Sequence, residues 1–172
     1  MKLSEGIEWG LHCIVALAAL PPGATLPTKA LAEMHGLSET YLSKHLQALT
    51  NARIIESVPG PRGGYRLTRP PEEITLLEVV EAIDGHEPLF RCTEIRQQGP
   101  LALDPQEYPY AYRKPCAVHA AMARAEKAWH EALRSQTLAD VVSQYIHQAE
   151  PETLRRTERW LTERMRRGSE KS

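Results

Sequence analysis

The chain has 172 residues, 42% of them hydrophobic, and a formal net charge of -1. That length suits one ordinary core with an appended helical element and excludes two large independent domains, while the near-neutral charge excludes a surface coated in basic residues for indiscriminate nucleic-acid binding. No apolar run reaches the roughly 20 residues of a membrane helix, acidic Glu5 and Glu8 stand where a signal peptide is basic, and the widely spaced Cys13, Cys92 and Cys116 make no disulfide framework, so a cytoplasmic protein is expected.

Leu3, Ile7, Leu11, Ile14, Val15 and Ala18 recur at intervals of three and four, which predicts an amphipathic first helix ending before Pro21, Pro22 and Gly23. Cys13, among apolar neighbours, reads as core. Thr28 is expected to cap a second helix over 29–35 with Leu31 and Met34 inward, and Gly36 to supply a left-handed turn. Ser38 is expected to cap a third helix running to about 51, burying Leu42, Leu46 and Leu49 and leaving Glu39, Thr40, Ser43, Lys44 and Gln47 on a polar face. Two helices joined by a short glycine turn make the helix-turn-helix pattern, whose second helix meets base edges.

Short alternating segments at 54–58 and 65–67 flank Pro59-Gly60-Pro61-Arg62-Gly63-Gly64, which reads as a hairpin wing whose glycine tip lets Arg62 approach a minor groove. Residues 1–70 hold seven Lys or Arg against five Glu, and four of the seven lie between Arg53 and Arg69, a local basic edge. After Pro70 and Pro71, Thr75 starts a helix with Leu76, Leu77, Val79, Val80 and Ile83 inward, closing a DNA-binding domain over 1–85. Residues 86–115 are irregular and too long for a plain connector, so they read as a sensor loop. An alanine-rich helix within 116–136 carries a seam of Ala121, Met122, Ala125, Trp129 and Leu133 that suits dimerisation. The remaining 137–172 read as a helical tail, with a short helix around Val141 and Ile146 and an arginine-rich amphipathic segment bearing Leu154, Trp160, Leu161 and Met165. The fold class expected is mainly α, a winged helix-turn-helix with a small β-hairpin wing and a long dimerisation helix.

Four stretches carry a family resemblance: Met1-Lys2-Leu3-Ser4, Ser38-Glu39-Thr40-Tyr41-Leu42-Ser43-Lys44, Gly60-Pro61-Arg62-Gly63-Gly64-Tyr65-Arg66-Leu67, and Pro71-Glu72-Glu73-Ile74-Thr75-Leu76-Leu77-Glu78-Val79-Val80-Glu81-Ala82-Ile83-Asp84-Gly85. Taken in order they resemble the IscR/NsrR-type winged-helix regulators over residues 1 to about 135. The resemblance implies a homodimer in which the two long helices cross and present two recognition helices to a palindromic operator in double-stranded DNA. It implies DNA contacts from Thr28, Ser38, Glu39, Thr40, Tyr41, Ser43 and Lys44, with Arg62 and Gly63 in the wing. Pro59 stands where many members have arginine.

Many members also hold an iron–sulfur cluster, here expected as [2Fe–2S], through cysteines between the winged domain and the dimer helix. Cys92 and Cys116 match two of these; a third is absent, and Tyr108, Tyr110 and Tyr112 occupy the intervening region. His119, three residues after Cys116, lies on the same helical face, and Glu8 and His12, four apart, resemble a subgroup whose first helix donates ligands across the dimer. The candidate ligands are therefore Glu8, His12, Cys92, Cys116 and His119. A helix N-terminus favours the thiolate at Cys116, whereas Cys92, after Leu89 and Phe90, suits burial as well as ligation. The function expected is a repressor controlled by a cluster or redox signal. A cluster-free regulator receiving a thiol oxidant, a small molecule or a protein partner is the alternative. A cysteine enzyme built on Cys116 and His119 would lack an orienting acid and an oxyanion turn, so no enzyme is expected.

Overall fold

The computed structural model describes residues 3–61 and 63–167. In chain order these form α1 (Glu5–Ala18), β1 (Ala24–Thr25), α2 (Thr28–His35), α3 (Glu39–Asn51), β2 (Ile55–Val58), β3 (Gly64–Leu67), α4 (Leu76–Asp84), α5 (Ala117–Arg134), α6 (Leu138–Gln148), α7 (Pro151–Arg164) and β4 (Arg166–Arg167). Among the described residues no helix is long and apolar enough to cross a membrane. The chain divides into two compact units, one built from residues up to Gly85 together with those from Leu133 onward, the other spanning His86–Ala132.

In the first unit α1 buries Ile7, Cys13, Ile14, Ala16 and Leu17 against α3 and α4. Leu3, expected inward, precedes the helix and is exposed. Burial pushes the Cys13 thiol up to about 12, as befits a core cysteine. The reversal between α2 and α3 rests on Gly36 at φ 65°, with Leu37 N–H donating to the Ala32 carbonyl at 2.9 Å. Thr28 is the first helical residue of α2 rather than its cap: Pro27 takes the cap position, where its fixed φ prepares the turn. Ser38 does occupy the cap position of α3, though its side chain makes no capping bond. The stripe α3 buries is Leu42, His45, Leu46 and Leu49, one residue more than hydrophobicity marks out.

The wing strands pair antiparallel from Ile55↔Leu67 to Val58↔Gly64. Leu26 extends this sheet by reciprocal bonds with Tyr65, at 3.0 and 2.8 Å. α4 opens on a capping box: the Thr75 hydroxyl accepts from Glu78 N–H at 3.3 Å, and the Glu78 carboxylate accepts from Thr75 N–H at 2.8 Å. Burial works against the charge on Glu78, but the Thr75 bonds and the Arg69 guanidinium outweigh it and hold the carboxyl below its ordinary value.

The last helices share this core. Leu76 N–H donates to the Gln136 carbonyl at 2.9 Å and Leu138 N–H to the Ile74 carbonyl at 2.8 Å, so α6 starts bonded to the start of α4. Leu138 is fully buried, and with Leu161 of α7 it joins the cluster that holds Ile14, Leu26, Leu31 and Leu46. Amphipathic helices of this kind cannot bury their apolar stripes alone, which is why both dock.

In the second unit α5 buries none of its residues; Val118 is 63% exposed and Met122 43%. The preceding segment is irregular apart from a short turn at Ile95–Gln97.

Candidate functional site

One helix face and one turn form the first candidate site. Ser38, Glu39, Thr40, Tyr41, Ser43, Lys44 and Gln47 are all exposed at the N-terminal half of α3, since its buried stripe of 42, 45, 46 and 49 fixes the opposite face inward. Thr28 is half-buried. Lys44 forms no ion pair among the described residues, and the Ser43 hydroxyl donates back to the Glu39 carbonyl at 2.7 Å. Tyr41 meets Trp9 of α1 edge-on at 5.0 Å and His45 at 5.5 Å, so its ring is braced from beneath while 52% of the residue stays exposed.

His45 is the residue that sequence reasoning missed. Its ring lies against Gly6, where a Cβ would overlap it, and its Nε2 is buried without a partner. Burial first, then the Lys44 charge, pull its pKa below the ordinary histidine value, against a smaller opposite effect of Asp84. The signal was in the spacing: position 45 falls on the 42, 46, 49 stripe.

In the wing, Gly63 is buried, and a Cβ there would overlap the Val58 and Gly60 carbonyl oxygens. Its N–H closes the turn on the Gly60 carbonyl at 2.8 Å. Arg62 lies outside the described residues. The basic edge is thinner than composition implies, because Arg66 pairs with Glu56 at 2.7 Å and Arg69 with Glu78.

The second candidate site lies within His86–Ala132. Arg96 gathers it: Nε and Nη2 bond the Glu94 carboxylate, Nη2 also reaches the Lys114 carbonyl at 3.0 Å, and the Tyr112 ring sits 5.4 Å from the guanidinium. This ties the turn after Cys92 to the residues just before Cys116. The Glu94 hydrogen bond chiefly raises the pKa of Arg96, with smaller contributions from Cys116 and Cys92. Cys92 is exposed, which removes the burial reading, and Cys116 is half-buried. His119 N–H donates to Cys116 Sγ at 3.2 Å, and His119 Nδ1 is buried without a partner beside Phe90.

The five expected ligands are thus divided, with Cys92, Cys116 and His119 in this unit and Glu8 and His12, both exposed, in the other. Among the described residues no three His, Cys, Asp or Glu side chains gather tightly enough to hold a metal ion. Two thiols and an imidazole are three donors of a type an iron–sulfur cluster accepts, and such a cluster takes four. The donor types suit a cluster, but one chain supplies only three of them and, among the described residues, does not gather them. His12 instead faces His35, ring centroids 5.4 Å apart, on a cavity of about 510 Å3 lined also by Met34, Val142, Tyr145 and Leu161. Burial, then His12, lowers the pKa of His35.

A glycine-turned helix pair whose second helix exposes a polar N-terminal face, followed by a two-stranded wing, is a winged helix-turn-helix, the fold of DNA-binding transcription regulators. The chain belongs to the Rrf2 family, described as iron-dependent transcriptional regulators, whose profile matches residues 3–144. Among curated relatives it is similar to the HTH-type transcriptional regulator YwgB of Bacillus subtilis strain 168, 28% identical over 83% of this chain and 85% of that one. Protein aau3 of Rhizobium meliloti strain 1021 is 35% identical over the same shares. Among solved structures it resembles CymR, the global cysteine regulator of B. subtilis, at 26% identity and TM-score 0.63 over 84% of this chain and 98% of that one. T. potens IscR, at 24% identity and TM-score 0.63 over 90% and 96%, shares the fold. The family and the YwgB relative are regulators of transcription, not enzymes.

Proposed function

We propose that the protein is a cytoplasmic homodimeric repressor that holds a palindromic operator, with Ser38, Glu39, Thr40, Tyr41, Ser43 and Lys44 in the major groove and the wing, including Arg62 and Gly63, against the backbone and minor groove. Thr28, at the start of α2, lies at the margin of this surface. The apolar seam of α5 that one chain leaves exposed supports dimerisation, since two copies can cover it mutually. Half-sites then lie about one duplex turn apart or a multiple of it.

Operator binding is controlled through Cys92, Cys116 and His119. The observation that carries this reading is the Arg96 guanidinium, which joins Glu94, two residues after the exposed Cys92, to the Lys114 carbonyl just before Cys116, whose sulfur accepts from His119 N–H. A bound [2Fe–2S] cluster would supply a centre that oxidant alters; Cys92, Cys116 and His119 would hold it, and Glu8 or His12 of a second copy would complete the set. The residues themselves link the loop to the N-terminus of α5, so a change at Cys116 bears on the dimer helix. A relative, S. aureus CymR, has been solved in an oxidized form, which supports redox chemistry in this fold.

The test is anaerobic purification with iron and acid-labile sulfide measured per chain, before and after Cys116→Ala. Iron and sulfide in matching amounts, lost in the variant, are expected. A metal-free dimer that still grips DNA would overturn cluster sensing. A second reading, a cluster-free regulator that receives a small molecule, is favoured by the cavity beside His12 and His35, whose 510 Å3 lies within the roughly 300–1,000 Å3 of ligand sites.

A further inference from the structure

The wing turn is gripped by a residue more than a hundred positions away. Arg166 Nη1 donates to the Pro61 carbonyl at 3.0 Å and to the Gly63 carbonyl at 3.0 Å, the two carbonyls that bracket position 62. The strand that carries it, β4, pairs antiparallel with β1 in the register Ala24↔Arg167 and Thr25↔Arg166. Because Leu26, directly after β1, bonds to Tyr65 of β3, β4 lies along the wing sheet's outer side. Leu161, buried in the core, anchors α7 just before it, and Met165 N–H closes on the Leu161 carbonyl at 2.8 Å. The placement is therefore built in.

We infer that this C-terminal strand belongs to the DNA-contacting surface: Arg166 holds the wing turn in shape and carries a guanidinium to a backbone phosphate beside the wing. The inference rests on the operator-binding reading above. A guanidinium has five N–H donors, and the two wing bonds use one nitrogen only. Its other nitrogens meet no acceptor among the described residues. Arg167, exposed, has no acidic partner there either. The contrast is with Arg164, which pairs with Glu33 and Glu163 and stacks over Trp160 at 4.7 Å, so that its charge is neutralised within the protein.

Few charges at the wing are free for this: Pro59 brings none, Arg66 and Arg69 are paired with carboxylates, and the whole chain is net -1, so Arg166 adds to the one charge that Arg62 brings to the tip. Phosphate contacts by arginine fix the register of a protein on its duplex and contribute a salt-dependent part of its affinity. An anionic backbone is the partner that fits a cation held at the edge of a wing.

The experiment uses the full-length dimer and a duplex recovered by the wild type from a random pool, titrated by fluorescence anisotropy over a series of salt concentrations. Arg166→Ala is expected to weaken binding about tenfold and to lower the slope of log K against log salt by about 0.9 per chain, the signature of a lost phosphate contact. Arg166→Gln retains an N–H donor for the wing carbonyls without the charge, and is expected to lose the same slope. An unchanged slope in Arg166→Gln would overturn the phosphate contact, whether affinity falls or not. Lys44→Ala, titrated alongside, separates the two claims. If Lys44→Ala weakens binding and both Arg166 variants match the wild type, only this inference fails; if the wild type recovers no duplex, the operator-binding reading fails with it.

Discussion

Replacing Leu138 by alanine tests whether the helices after α5 are part of the DNA-binding core. The side chain is fully buried in the cluster with Ile14, Leu26, Leu31 and Leu46, and its N–H is fixed to the Ile74 carbonyl, so the site has little room to collapse. Leucine-to-alanine changes at such positions cost about 2–5 kcal/mol, the transfer of three carbons plus the cavity left behind. Taking about 3 kcal/mol, and roughly 2–4 °C per kcal/mol for a chain of this size, Tm falls by about 6–12 °C. Circular dichroism melting at one protein concentration measures it, with Leu101→Ala as control, since Leu101 is 92% exposed. A Leu138→Ala variant that melts within about 2 °C of wild type, as surface substitutions do, would refute the shared core.

Gly63→Ala forces a Cβ onto the Val58 and Gly60 carbonyls, so it should weaken operator binding by about tenfold while the helical signal at 25 °C is retained; equal affinity would refute the wing's role. His45 and His35 are neutral in the fold with pKa values below the ordinary one, so the unfolded chain takes up protons first: their stability is present above roughly pH 6.5 and is lost as pH falls toward the folded values. Tm should therefore drop between pH 7.5 and 5.5, less steeply in His45→Gln, and a flat wild-type profile would contradict the burial argument. Glu78 acts lower on the scale, its stabilising charge being present above the ordinary carboxylate range and lost as pH falls through its depressed value; Glu78→Gln should cost about 1 kcal/mol at pH 7 and flatten the acid limb of a denaturation curve. Met122→Glu, placed on the exposed seam of α5, should halve the mass measured by sedimentation; an unchanged mass would remove α5 from the interface.

The helices and the wing were legible because each has a local signal. Apolar spacing of three and four marks α1, α3 and α4, and Gly36 and the 59–64 glycines mark the reversals. The positions on α3 followed from the same stripe, since a helix that buries 42, 46 and 49 must expose 40, 43, 44 and 47. His45 was hidden because histidine scores as polar, although its ring packs as an aromatic between Trp9 and Tyr41. The docking of α6 and the pairing of β4 were hidden for another reason: both are contacts between segments far apart in sequence, and a strand of two residues has no period to read. Of the metal-ligand candidates, Cys116 and His119 are close in sequence, and the bond between them comes from the His119 backbone N–H, whereas the link from Glu94 to Lys114 runs through Arg96, which no spacing rule singles out.

The central claim is that two copies of α3 and its wing read one palindrome. Selection from a random duplex pool by the purified protein, followed by sequencing, tests it most directly. The account predicts enrichment of an inverted repeat with half-sites about one helical turn apart or a multiple of it, lost in Lys44→Ala. A pool that stays random, or a single enriched half-site with no repeat, would contradict it.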